Sequence, residues 1–130
     1  MLNTHHRIVH LTDHTTVVAV DNPDPNAGGA CHAYHVLSKH GSILASIHFQ
    51  YGPIGEVGVN GVQHADLLAI IRDRLDHFQR GSFASPTNEV TCGFVSAALA
   101  SEETRTRRRA LAGVEGTSQK AAGVETGAAA

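Results

Sequence analysis

The sequence predicts an α+β fold, in which a small antiparallel β-sheet is followed by an antiparallel two-helix hairpin. In the first half of the chain, short β-branched and alternating apolar runs are separated by turn residues, which is typical of strands. In the second half, apolar residues recur every three or four positions over two long stretches, which is typical of helices. A connection of five or six residues makes these helices antiparallel neighbours.

Four strands are predicted, over residues 7–11, 15–20, 30–37 and 42–50. The turn residues between 21 and 29 form a loop, and residues 38–41 form a hairpin turn between the last two strands. In the last strand, apolar residues at the odd positions from Ile43 to Phe49 alternate with mostly polar ones. This period of two predicts one buried face.

Capping residues predict where the two helices begin. Asn60, followed three residues later by Gln63, is the predicted N-cap of the first helix, and Gly81 ends that helix. Ser85 with Pro86 predicts the start of a second helix that runs to about residue 111. The predicted inward stripes are Val62, Leu67, Leu68, Ile71, Leu75 and Phe78 on the first helix, and Val90, Phe94, Ala97 and Ala98, widened by Val95 and Leu99, on the second.

The length of 130 residues predicts one domain, with a β-sheet part over residues 1–58, a helical part over 59–117 and a disordered tail over 118–130. Tryptophan is absent and aromatic residues are few, so we expect a thin core, to which a symmetric oligomer would add buried area. The net charge of −2 gives no overall attraction to nucleic acid. Without a signal-peptide pattern or an apolar run of about 20 residues, the chain is expected in the cytosol.

An arginine cluster closes the second helix, with four arginines in five residues from Arg105 to Arg109. Arg105 and Arg109 are four positions apart and therefore share a helix face. The planar guanidinium group matches phosphate oxygens, which favours anion binding. A solvated helix end, where cations interact well with the helix dipole, is the alternative interpretation.

Phe78 and Asn88 flank the turn between the helices, so both are expected at one end of the pair. An aromatic ring can stack on a base, and an amide can pair with a base edge or a ribose hydroxyl. From the residues alone, the alternative stays open that Phe78 is a core residue and Asn88 a polar residue of the first helical turn.

Metal and catalytic patterns are scarce. Among ten histidines, His32 and His35 form the closest pair apart from the adjacent His5 and His6, but residues three apart on a strand face opposite sides. No nucleophile elbow, phosphate loop or zinc-protease motif is present. We therefore predict no catalytic residue, no metal and no cofactor. An enzyme, a nucleic-acid-binding module using the Arg105–Arg109 cluster and a structural protein remain the alternatives.

The sequence resembles a phage family of helical-hairpin sponges, which includes the Thoeris anti-defence sponge and the shorter anti-CBASS cyclic-nucleotide sponge. In the hairpin, the resemblance is carried by Gly58-Val59-Asn60-Gly61, Asp66-Leu67-Leu68-Ala69-Ile70, Asp73-Arg74-Leu75, Phe78-Gln79, Gly81, Phe83-Ala84, Asn88, Arg105, Arg109 and Gly113-Val114-Glu115-Gly116-Thr117. In the β part, it is carried by Asp21-Asn22-Pro23, Gly28-Gly29-Ala30, His32, Tyr34-His35 and Phe49-Gln50-Tyr51-Gly52-Pro53.

This resemblance implies a non-catalytic trap for cyclic nucleotide second messengers in the cytoplasm of an infected bacterium. Phe78 and Asn88 match the pocket for cyclic ADP-ribose isomers, including glycocyclic ADP-ribose, and Arg105 and Arg109 match the residues that hold cyclic trinucleotides. It also implies a homo-oligomer, a hexamer built as a trimer of dimers, that binds neither long nucleic acid nor membrane. One departure is Ser85-Pro86-Thr87-Asn88, where family members often carry Cys-Arg-Glu-Asn.

Overall fold

The computed structural model describes residues 6–113 as two compact units, the first ending at Val62 and the second beginning at Gln63. The first unit is a four-stranded antiparallel sheet and the second is a pair of packed helices, which confirms the predicted α+β class. The tail predicted over residues 118–130 lies outside the described residues. None of the described helices combines the length and apolar character needed to cross a membrane.

The sheet has the strand order β1-β2-β3-β4, so each strand pairs with its neighbour in sequence. Hydrogen bonds close the predicted turn between the last two strands, where the Gly41 N–H donates to the Ser38 carbonyl at 3.0 Å. Gly41 has a φ of 90°, a conformation that glycine adopts without steric cost. The strands are β1 Arg7–Leu11, β2 Thr15–Ala19, β3 Ala33–Ser38 and β4 Ile43–His48.

The buried residues of the sheet lie on the two central strands, where Val18, Ala19 and Leu37 are covered. The prediction that β4 has one buried face is wrong for this chain. Ile43 is 58% exposed and Ile47 is only half-buried. Alternation shows which side chains share a face, but it does not supply a layer to cover that face.

The segment before the helices folds back onto the end of β4. After β4 the chain forms one short helical turn, α1 Ile54–Val57, and Val62 then pairs with Phe49 in a parallel bridge. Asn60 is not the helix cap that the sequence predicts. Its amide instead pairs with the backbone of Tyr51, accepting from the N–H and donating to the carbonyl, both at 2.7 Å.

The two long helices are α2 His64–Gln79 and α3 Pro86–Leu111. Gln63 is the true N-cap of α2, and its N–H donates to the Asp66 carboxylate at 2.8 Å. Ser85 caps α3 as predicted, because its hydroxyl accepts from the Asn88 N–H at 3.1 Å. Side-chain contacts between the helices include Cys92 Sγ to Asp76 Oδ1 at 3.2 Å and His64 Nδ1 to Glu102 Oε1 at 3.5 Å.

The inward face of α3 is only in part the predicted one. Leu99 is buried and Val95 and Ala98 are half-buried, as predicted, whereas Val90 is 59% exposed, Phe94 is 74% exposed and Ala97 is exposed as well. The side of α3 that is covered runs through Asn88, Cys92, Val95, Ser96 and Leu99. On α2 the predicted stripe is half-buried except for Ile71, which is exposed. The true inward line of α3 and the exposed apolar line have the same helical spacing, so periodicity alone did not distinguish them.

Candidate functional site

The hairpin turn brings Phe78 and Asn88 to one end of the helix pair. The two are linked through Phe83, whose ring meets Phe78 edge to face at 6.2 Å between centroids and whose carbonyl accepts from Asn88 Nδ2 at 3.2 Å. The turn itself is fixed by the Gln79 side chain, which accepts from the Ser85 N–H at 2.9 Å. An aromatic pair and an amide therefore share one surface.

A cation also belongs to this surface. The guanidinium carbon of Arg74, one helical turn before Phe78, lies 5.2 Å from the centroid of the Phe78 ring, which is a cation–π distance. We call Arg74, Phe78, Phe83 and Asn88 the turn-end cluster. Ring, amide and guanidinium are the groups that contact a base, a ribose and a phosphate, respectively.

The arginine end of α3 contains a second concavity, which we call the arginine pocket. It has a volume of about 430 Å³ and is lined by Ser101, Glu102, Thr104, Arg105 and Arg108. The Arg105 side chain is 23% exposed, and its Nη1 lies 3.9 Å from Glu102 Oε2. The pocket therefore combines two guanidinium groups with hydroxyls and one carboxylate.

Arg109 is buried and does not line this pocket. It is 1% exposed, whereas the adjacent Arg108 is exposed and lines the pocket. The sequence pattern singled out Arg105 and Arg109 because they share a helix face. Arg108 carries the same kind of signal, because it lies three positions after Arg105 and residues three apart are also neighbours on a helix. The structure shows that Arg108, and not Arg109, lines the pocket.

A third cluster lies in the sheet unit, where the His32 and Tyr51 rings are 4.2 Å apart and the Tyr51 hydroxyl donates to Asp24 Oδ2. This hydroxyl, with the Asn26 N–H, lowers the pKa of the Asp24 carboxyl. At Asp21, burial raises the pKa, but hydrogen bonds from the His32 and Ala33 N–H groups outweigh it and the pKa is lowered.

Within residues 6–113, no three histidine, cysteine or acidic side chains come together as a metal site.

We expect the Tyr51→Phe variant to lose stability at neutral pH but not in strong acid. Because the folded-state pKa of Asp24 is below its ordinary value of 3.8, the carboxylate stabilises the fold above about pH 4 and this contribution is lost as the pH falls through the folded-state pKa. Without the Tyr51 hydroxyl, the pKa of Asp24 rises towards 3.8. Urea unfolding followed by circular dichroism should show a wild-type advantage at pH 7 that closes near pH 2.

The matched control is Tyr34→Phe, because the Tyr34 hydroxyl donates to the uncharged carbonyl of Cys31. Its effect on the free energy of unfolding should be the same at both pH values. A Tyr51→Phe deficit that stays constant from pH 7 to pH 2 would contradict the assigned role of Asp24.

The sequence is similar to that of a known phage protein. Over 77 residues it is 40% identical to Thoeris anti-defense 1 of Bacillus phage SBSphiJ7. The chain is homologous to Thoeris anti-defense 1. The matched segment covers 59% of this chain and 54% of the relative, so the match spans about half the length of Thoeris anti-defense 1. No protein-family model matches the sequence.

The homology to Thoeris anti-defense 1 agrees with the resemblance inferred from the motifs. Of the four site residues selected from the sequence, Phe78 and Asn88 meet through Phe83, and Arg105 lines the arginine pocket. Sequence reasoning missed Arg74 as part of the turn end. Its spacing of four residues from Phe78 was an available signal, because such pairs are neighbours on a helix.

Proposed function

We propose that this protein is a phage anti-defence sponge that binds and sequesters cyclic nucleotide signals without cleaving them. Homology to Thoeris anti-defense 1 is the observation that carries the proposal, because that relative is named for acting against the Thoeris defence. The signals would be cyclic ADP-ribose isomers, such as glycocyclic ADP-ribose, and cyclic trinucleotides. Capture is stoichiometric, so slow release matters rather than turnover.

The turn-end cluster is the proposed site for the ADP-ribose-type ligand. Its Phe78 ring would contact the base, and its Asn88 amide would pair with a base edge or a ribose hydroxyl. The geometry supports this assignment, because ring and amide are joined through a single intervening residue, Phe83. An aromatic surface with a few convergent polar groups is the usual composition of a small-molecule site.

The arginine end of α3 is the proposed site for cyclic trinucleotides, with Arg105 and Arg109 as the phosphate-binding pair. The pocket that contains Arg105 supports an anion site in this part of α3. Asn88 and Arg105 are separated by 17 positions on α3, or roughly 25 Å at the usual rise of an α-helix. Two ligands at that distance would bind without competing.

We also propose that the protein works as a homo-oligomer, a hexamer formed as a trimer of dimers. The exposed apolar residues Val90, Phe94 and Ala97 support self-association, because they form one stripe along α3. Exposed Ile70 and Ile71 on α2 add further apolar surface. Light scattering gives the test, since a chain of 13.7 kDa that elutes with the mass of a monomer at micromolar concentration would contradict assembly.

A thermal-shift panel tests the proposed function. The panel comprises cyclic ADP-ribose, glycocyclic ADP-ribose, cyclic di- and trinucleotides, and linear ADP-ribose as a control. A ligand that binds only the folded state at a hundredfold excess over its Kd adds about 2.7 kcal/mol of stability, which is readily detected. We expect shifts with the cyclic ADP-ribose isomers and cyclic trinucleotides only.

Recovery of the ligand separates a sponge from an enzyme. After incubation with substoichiometric protein and heat denaturation, chromatography should return the cyclic ligand intact. A linear product would contradict sequestration.

A nucleic-acid-binding module at the arginine end would be favoured by a different result. The protein would then bind RNA with a steep salt dependence and show no thermal shift with the ligands of the panel.

A further inference from the structure

We propose that Phe83 and Arg74 are ligand-contacting residues of the turn-end cluster, Phe83 stacking on the base and Arg74 binding a phosphate. The inference rests on the proposed function and extends it to two residues to which the resemblance assigns no binding role. The ligand class is a base linked through ribose to a phosphate or pyrophosphate.

Phe83 is held in position while its aromatic ring remains accessible to solvent. The side chain is 73% exposed, so most of its aromatic surface faces solvent. Two contacts fix its position: the Phe78 ring, perpendicular at 88°, and the Asn88 amide, which donates to the Phe83 carbonyl. An exposed ring held by such contacts is a stacking surface for a base, and it lies beside the half-buried Phe78 ring that also contacts the base in the proposed site.

The hydrogen bonds of Asn88 indicate which ligand atoms it can recognise. Its Nδ2 already donates to Phe83, and its backbone N–H donates to the Ser85 hydroxyl. The amide oxygen, an acceptor, and the second N–H of Nδ2, a donor, are the groups through which Asn88 would meet a ligand. The matching ligand groups are a donor beside an acceptor, as on a base edge, or a ribose hydroxyl, which is both.

Arg74 supplies the positive charge of the cluster. Among the described residues no carboxylate forms an ion pair with it, and the two acidic residues nearest in sequence have other partners. Asp73 Oδ1 lies 3.6 Å from His77 Nδ1, and Asp76 accepts from Cys92. A cation–π contact with Phe78 leaves guanidinium N–H donors able to bind oxygen, so Arg74 can hold a phosphate beside the ring.

Isothermal titration calorimetry with glycocyclic ADP-ribose, and with cyclic ADP-ribose as a second probe, tests the proposal. We expect Phe83→Leu to weaken binding by about 10- to 100-fold, because it keeps an apolar side chain but removes the ring. Phe83→Tyr keeps the ring and should stay within about threefold of wild type. Arg74→Gln should weaken binding about tenfold or more and flatten its salt dependence.

Arg80→Gln is the charge control, because Arg80 is exposed in the same turn but makes no ring contact within the described part of the chain. It should change the affinity by less than about twofold, as expected for a screened surface charge. Phe83→Trp gives an independent readout, since the chain contains no tryptophan and this variant has a single indole. Its emission should change on ligand addition and saturate at the calorimetric stoichiometry.

The outcomes distinguish this inference from the proposed function. If both Phe83→Leu and Arg74→Gln bound the probes with the affinity of the wild-type chain, the inference would be overturned and the sponge would stand. An equal loss in Arg74→Gln and Arg80→Gln would also overturn the role of Arg74, since any nearby charge would then suffice. Failure of the wild-type chain to bind either probe would overturn the ADP-ribose assignment and the inference together.

Discussion

Replacing both Arg105 and Arg109 with alanine is expected to abolish binding of cyclic trinucleotides while leaving binding of glycocyclic ADP-ribose unchanged. Each hydrogen bond from a guanidinium to a phosphate contributes about 1.5–3 kcal/mol. Losing two such contacts should therefore reduce the affinity by roughly 10²- to 10⁴-fold. Calorimetry with both ligands on the same protein preparation measures the effect, and loss or retention of both ligands together would refute two separate sites.

The structure sharpens this test in two ways. Arg109 is 1% exposed, so its replacement also removes buried contacts, and circular dichroism must show that the double variant stays folded. The single Arg105→Ala variant avoids this, because Arg105 is partly exposed and lines the pocket. Comparing Arg105→Ala/Arg108→Ala with Arg105→Ala/Arg109→Ala then identifies which neighbour of Arg105 binds phosphate.

Phe78→Ala is the reciprocal control for the two-site arrangement. It removes the ring that contacts both Phe83 and Arg74. We expect loss of glycocyclic ADP-ribose binding and intact trinucleotide binding, the reverse of the arginine variants. A variant that lost both ligands while remaining folded would mean that the two regions form one site.

Gly61→Ala is expected to destabilise the sheet unit by about 3 kcal/mol or more. A Cβ at this position would lie 2.5 Å from the Phe49 carbonyl oxygen and 2.6 Å from that of His48, so backbone atoms rather than a flexible side chain block it. Overpacking costs typically about 1–3 kcal/mol. Moving the segment away would also break two backbone hydrogen bonds, Gln50 N–H to Val62 at 2.9 Å and Val62 N–H to His48 at 2.8 Å. Urea unfolding monitored by circular dichroism measures the loss.

Gly93→Ala is the matched control, with an expected effect of opposite sign. Gly93 lies within α3, and a Cβ there would meet no atom within 4 Å. Because glycine is a poor helix former, alanine should stabilise this position by about 0.5–1 kcal/mol. If Gly61→Ala were as stable as wild type, the close backbone approach between Gly61 and β4 would be refuted.

Features that depend on near neighbours in sequence were predictable. The hairpin turn at residues 38–41 and the Ser85 cap with Pro86 were confirmed, because each depends on hydrogen bonds between residues at most four apart. Within the candidate site, the proximity of Phe78 and Asn88 was predictable because a short turn connects the two helices. Phe83, in that turn, contacts the Phe78 ring and accepts a hydrogen bond from Asn88. Whether these residues bind a ligand stays a prediction.

Features that depend on distant residues were not predictable from a local pattern. Asn60 has the side chain of a helix cap, but the return of residues 59–62 to the end of β4 gives its amide the Tyr51 backbone instead. On α3, Asn88 and Val90 are two positions apart, which places them about 200° apart around the helix. Each of them begins a row of residues with helical spacing. The row that starts at Val90 and includes Phe94 is the more apolar of the two, but it is the exposed one.

The sequence alone determined that four strands are followed by two long helices, because alternation, helical spacing and capping residues are patterns within short stretches of chain. Only the tertiary structure decided which face of α3 packs on α2, which arginines line a pocket and which residues join Phe78 at the turn. The physical reason is that a helix or strand forms from local hydrogen bonds, whereas the choice of its buried face depends on contacts with partners far along the chain.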